Sequence, residues 1–275
     1  MEIKDDLTED IKGLKKYAML IMIIVIAVAG YTAYQSAFRD PAVRFFQSDR
    51  GSYYLYLPES TDHETENPIL IHPIFGQEEN QEDLEDEASR QIRTMQVIAD
   101  EIASPLLVPV FSLDDYQDPA KAEILAELFH DARNELEEIN YEIADKADLF
   151  GFGESGHYAS YWLNQYPELV NKAVIGSPGG WPAEPRDSEY NNDISVFFFQ
   201  GEEDDFSLLD QEPYFTESEQ EELQERLPED SVERFNQAVD AYQEAGFQVE
   251  VKIYPELDHR ITMEVNEDIA AFINN

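Results

Sequence analysis

Short apolar runs, each followed by a helix-like stretch, recur down the chain and leave few folds open to it. From about residue 41 they read PILIHP (68–73), PLLVPV (105–110), ADLFGF (147–152), KAVIGS (172–177), ISVFFFQ (194–200) and QVEVKIY (248–254). Helical patterns lie between them at about 84–103, 119–143, 157–166 and 231–245, with a last one near 264–273. Runs that are apolar at consecutive positions suit strands buried on both faces, and the intervening helices supply the covers. Ahead of them VRFFQ (43–47) and SYYLYL (52–57) flank Ser48-Asp49-Arg50-Gly51, which predicts a hairpin. The whole pattern predicts an α/β domain over residues 41–275. Its sheet is expected to be eight-stranded and mostly parallel, opened by an antiparallel hairpin and covered by helices on both faces.

The surface of that domain must carry an unusual charge. The chain has 60 Asp+Glu against 18 Lys+Arg, a formal net charge of -42. The acidic residues are spread along the sequence and aromatics make up 12% of it, so the charge belongs to a folded protein and not to a disordered acidic tail. Such a surface repels itself in dilute buffer. At ~1 M salt the Debye length falls to about 3 Å and the repulsion is screened, which leads us to expect a halophilic protein. Nucleic acid is excluded as a partner, because phosphate binding needs a basic footprint. The chain has no cysteine, which excludes disulfides, a Cys nucleophile and a lipidated cysteine anchor.

Residues 1–16 are polar, and residues 17–34 read YAMLIMIIVIAVAGYTAY without a charge. Eighteen helical residues span ~27 Å, close to the hydrocarbon thickness of a bilayer. A transmembrane anchor is therefore expected here, preceded by Lys12, Lys15 and Lys16, with the domain outside the cytoplasm. The competing expectation is a cleaved signal peptide and a secreted domain, since Ala27-Val28-Ala29 forms an A-x-A cleavage pattern.

Ligands of parallel sheets bind at the carboxyl ends of the strands, and three such ends carry reactive groups. ADLFGF runs into Gly153-Glu154-Ser155-Gly156-His157 and then a helical pattern, so Ser155 is expected on a tight strand-to-helix turn with the Gly156 N–H placed to hold an oxyanion. ISVFFFQ runs into Gly201-Glu202-Glu203-Asp204-Asp205, and QVEVKIY into Pro255-Glu256-Leu257-Asp258-His259. A serine hydroxyl needs a base to take its proton, and the base needs a carboxylate to orient it. The three strand ends supply these in the order Ser, Asp, His. Asp205 rivals Asp204 as the acid, and His157 is a weaker rival to His259 as the base. His72 is expected to stabilise its loop, and His63 and His130 to sit on the surface. No cofactor or metal is expected, because no His/Asp/Glu spacing and no Gly-rich phosphate loop suggests one.

RGSYYLYLP, PILIHPIFG, GFGESGHYA, GEEDD and PELDH together resemble the successive landmarks of an α/β-hydrolase of the esterase or depolymerase-like type, over nearly all of residues 41–273. The resemblance implies Ser155 as nucleophile, His259 as general base, Asp204 as orienting acid and Ile74 as the second oxyanion N–H donor. Two positions depart from the family: Pro73 stands where it has glycine, and His157 stands at the last glycine of G-x-S-x-G. The long stretch after Asp205 is expected to border a substrate cleft with Phe206, Tyr214 and Phe215, joined by Phe75 and Glu154. The implied function is a membrane-anchored carboxylic-ester hydrolase acting on a small-molecule ester or acyl substrate through an acyl-enzyme. A peptidase or thioesterase with the same triad, and a non-catalytic binding protein of the same fold, are the alternatives.

Overall fold

The computed structural model describes residues 42–47, 51–76, 81–112, 119–179, 184–207 and 227–275. Residues 17–34, which carry the expectation of an anchor or signal peptide, lie outside them, as do Tyr214 and Phe215. Among the described residues no helix is long and apolar enough to cross a membrane. The fold belongs to a compact unit over Arg44–Asn275.

The sheet contains β1 (Val43–Gln47), β2 (Ser52–Tyr56), β3 (Leu70–Ile71), β4 (Ile74–Gly76), β5 (Leu106–Ser112), β6 (Ala147–Phe152), β7 (Val170–Gly176), β8 (Ser195–Gly201) and β9 (Gln248–Tyr254). They lie in the order β1-β2-β5-β3-β6-β7-β8-β9, with β4 also on β5. Rings pair as Phe46 with Tyr53 and Phe45 with Tyr54, stepping in opposite directions along β1 and β2 as an antiparallel hairpin requires. β2 runs antiparallel to β5, and β3 to β9 are parallel to their neighbours.

β3 and β4 are one strand interrupted at Pro73. The register on β5 runs Leu70↔Leu106, Ile71↔Leu107 and then Ile74↔Val110, with no residue gained or lost. The interruption follows from proline's missing N–H. On the other side, Asp148 N–H donates to Ile69 O. Stepping that parallel ladder forward brings Phe150 O opposite the nitrogen of residue 73, where proline has nothing to donate. His72 fills the gap, its Nδ1–H donating to Phe150 O at 3.0 Å. The ring is buried, and burial lowers its pKa to about 4, so it stays neutral.

Alternate residues of each strand feed two cores. In β8, Phe198 meets Phe235 and Tyr242 of the helix α4 (Ser231–Glu244), whereas Phe197 meets Phe272 of α5 (Met263–Asn274) on the opposite face. The first face is also covered by α2 (Pro119–Glu138) and α3 (Glu154–Gln165), joined where Trp162 Nε1–H donates to Ala122 O. α1 (Gln81–Ile102) buries Ala88, Ile92, Met95 and Ile98. Burying each side chain the size of Ile92, Met95 or Ile98 contributes roughly 1.5–3 kcal/mol, so the two faces together drive collapse. Helix starts are set locally: Asp230 accepts from Glu233 N–H at 2.8 Å and Thr262 from Val265 N–H at 3.4 Å.

Candidate active site

The turn between β6 and α3 is a single residue, Gly153. Its φ of 62° and ψ of -126° lie in a region that L side chains enter only under strain. Its N–H donates to Gly176 O at 2.9 Å, and its carbonyl accepts from Gly156 N–H at 3.0 Å and His157 N–H at 3.2 Å. The helix therefore begins at Glu154 and not near residue 157, and two expectations change. Ser155 is the second residue of α3, beyond the turn itself. The Gly156 N–H, expected to face an oxyanion, is directed at Gly153 O within the helix. Gly156 packs against β7, where an added Cβ would come within 2.7 Å of Gly176 O. Gly151 is equally constrained, because a Cβ there would stand 2.1 Å from Ser155 O. Strand and helix thus approach too closely for any side chain at either position.

Asp204 and His259, the expected acid and base, follow the ends of β8 and β9. Asp204 is only 3% exposed. His259 Nδ1–H donates to its Oδ2 at 3.0 Å and Oδ1 at 3.2 Å. Phe206 N–H donates to Oδ1 at 2.9 Å, and the Ser177 hydroxyl also donates to the carboxylate. Burial pushes the Asp204 pKa up, but the hydrogen bonds from His259, Ser177 and Phe206 together outweigh it and hold the group below the ordinary carboxylate value. Asp204 is therefore the carboxylate beside His259, and Asp205 is exposed. The carboxylate fixes the ring tautomer, placing the proton on Nδ1 and leaving Nε2 as an acceptor.

His259 is held from both sides. Its ring stacks on Phe206 with centroids 4.1 Å apart and on Phe152 at 4.5 Å. Its loop is tied to the Asp204 loop by Glu202 N–H donating to Tyr254 O and Glu203 N–H to Leu257 O, both at 2.9 Å. Gly201 permits this approach, since a Cβ there would lie 2.1 Å from Leu257 O. Nε2 then points at Gly153, 3.1 Å from where a Cβ on that residue would stand.

These groups border a cavity of about 270 Å³, large enough for a small acyl or alcohol group. Ser155, Glu154, Phe206, His259 and His72 line it, with Met95 and neighbours on α1 opposite. Ile74 and Phe75 follow His72 on β4. His157 is buried in α3 and does not border the cavity. Sequence reasoning missed Phe152, Ser177 and the α1 wall. Ser177 closes the KAVIGS run, so a fourth strand end was there to be examined; α1 carried no such mark. Among the described residues no cluster of His, Asp and Glu forms a metal site.

No protein-family model matches the chain, and no curated protein matches it. Solved structures do. Poly(aspartic acid) hydrolase-1 from Sphingomonas sp. KT-1 is similar at a TM-score of 0.57 and 12% identity, over 86% of this chain and 98% of that one. An esterase from the archaeon Pyrobaculum calidifontis is similar at 0.56 and 11%, over 86% of each chain. A thermostable esterase is similar at 0.51 and 16%, over 85% of this chain, which spans 60% of its length. At these identities the likeness is one of fold: the chain has the fold of the α/β-hydrolases.

Proposed function

We propose that the chain hydrolyses small carboxylic esters, with His259 as general base and Asp204 as the carboxylate that orients it. The observation that carries this reading is the buried Asp204–His259 pair, whose acceptor nitrogen faces a cavity at the carboxyl end of the sheet. A base held in one tautomer with its acceptor in a cavity is suited to take a proton from a hydroxyl. Ile74, expected as an oxyanion N–H donor, continues the ladder in which the Leu70 and His72 N–H groups donate to Pro105 O and Leu107 O, so its N–H faces β5 and has no role in this reading. The proton can come from Ser155, on the covalent route expected from the sequence, or from water; the Nε2–Gly153 approach favours water.

Residues 17–34 anchor the domain to a membrane in the same proposal, and the charge of -42 makes its stability depend on salt. The test is hydrolysis of p-nitrophenyl esters of increasing chain length in high salt, with His259→Ala as control. Activity that depends on His259 supports the reading. Equal turnover of wild type and His259→Ala refutes it. Membrane fractionation with and without residues 1–34 tests the anchor, and unfolding across a KCl series tests the salt dependence.

A further inference from the structure

Gly153 comes close to His259 Nε2, and it carries no side chain. Gly153 alone separates β6 from α3. A Cβ on it would lie 3.1 Å from His259 Nε2, 3.3 Å from Cε1 and 3.7 Å from Phe206 Cε1. The strained turn between strand and helix is where a nucleophilic serine is exposed to its base in this type of site. Ser155 stands two residues further on, inside the first turn of α3, with its carbonyl pressed beneath Gly151.

We propose that Gly153 occupies the nucleophile position, and that the attacking group is a water molecule which His259 deprotonates above it, without an acyl-enzyme at Ser155. This rests on His259 being the general base of an ester hydrolase. Water gives a proton to Nε2 while its oxygen bonds to the acyl carbon, and the carbonyl oxygen takes the displaced electron pair. Collapse re-forms the carbonyl and breaks the bond to the alcohol oxygen, which receives the proton from the imidazolium. Acid and alcohol leave together, and no bond to the protein forms at any stage. Glycine suits such a site twice: it accepts the φ of 62° without strain and leaves room beside Nε2.

The experiment uses the full chain in high salt, with p-nitrophenyl acetate and a fluorophosphonate probe. The wild type is expected to show no burst of p-nitrophenol and no acyl adduct by intact mass. The probe is expected to leave it unlabelled, and Ser155→Ala to lose less than tenfold in kcat/KM. Gly153→Ser is expected to gain labelling that His259→Ala removes. A burst, or wild-type labelling that Ser155→Ala abolishes, overturns the inference and leaves His259 as the base of a serine hydrolase. Hydrolysis unchanged in His259→Ala removes the base and the water route with it. If Gly153→Ser fails to fold, the burst, the adduct and Ser155→Ala still decide.

Discussion

Two aspartates, one at each end of the parallel strands, are equally hidden from water and behave in opposite ways. Asp148, at the start of β6, is 1% exposed, and Asp204, past the end of β8, is 3% exposed. Burial raises the Asp148 pKa to about 6, and a hydrogen bond from Asn171 with the nearby Lys172 offsets only part of that. Burial pushes the Asp204 pKa up as well, but His259, Ser177 and the Phe206 N–H hold it below the ordinary value. Burial alone therefore does not decide whether a carboxylate is charged. The donors aimed at the ionised form count as well: Asn171 and the Lys172 N–H at Asp148, against His259, Ser177 and the Phe206 N–H at Asp204.

The comparison breaks first at His259. With that ring removed, kcat/KM for a small ester is expected to fall by roughly 10²–10⁴, the usual scale for a general base. Asp204→Asn comes next, with a fall of about 10² or more, because an amide no longer imposes the tautomer or balances the imidazolium. It should also flatten the acid limb of stability. Since the folded pKa is lowered, the Asp204 contribution is present above the unfolded value and lost as pH falls through the folded one. Urea unfolding of both proteins between pH 2 and 7 checks this, and an unchanged acid limb would mean that the donors do not hold the charge.

Gly201→Ala tests whether the acid and base loops must touch. A Cβ 2.1 Å from Leu257 O has to displace backbone, so kcat is expected to drop about tenfold and the melting temperature by several degrees. Asp148→Asn has the smallest effect on catalysis, within twofold. The folded pKa of Asp148 is raised, so the native state binds the extra proton between pH 3.8 and about 6. Stability is then lost as pH rises through that window, and the amide should recover about 1–2 kcal/mol at pH 7. A variant less stable than wild type at pH 7 would show that the Asn171 and Lys172 contacts outweigh the burial.

Much of the fold was legible because buried parallel strands write themselves as unbroken apolar runs. ADLFGF and QVEVKIY coincide with β6 and β9, and α4 and α5 fall within a residue of their patterns. Asp204 and His259 were legible for the same reason, each following such a run closely. The error lay in three residues at the start of α3. Ser155 and Gly156 favour helices poorly, so the periodicity pointed to a start near His157. The first turn of a helix tolerates such residues, and here the close approach of β6 and β7 requires Gly156 to be without a side chain. That small shift moves Ser155 off the turn and puts Gly153 there. The His72 bond to Phe150 O was illegible as well, since it depends on which carbonyl faces Pro73 across the sheet.

The shared backbone contacts of the Glu202–Glu203 and Tyr254–Leu257 segments separate two tasks within the site. Asp204 and His259 stand on loops after β8 and β9 that brace each other, while Gly153, which faces them, stands on the turn after β6. A side chain at position 153 would meet His259 Nε2 3.1 Å from its Cβ, but it would leave the backbone contacts between those two loops untouched. In the proposed reaction the proton-handling pair is thus a fixture of two loops, and the reacting position belongs to a third.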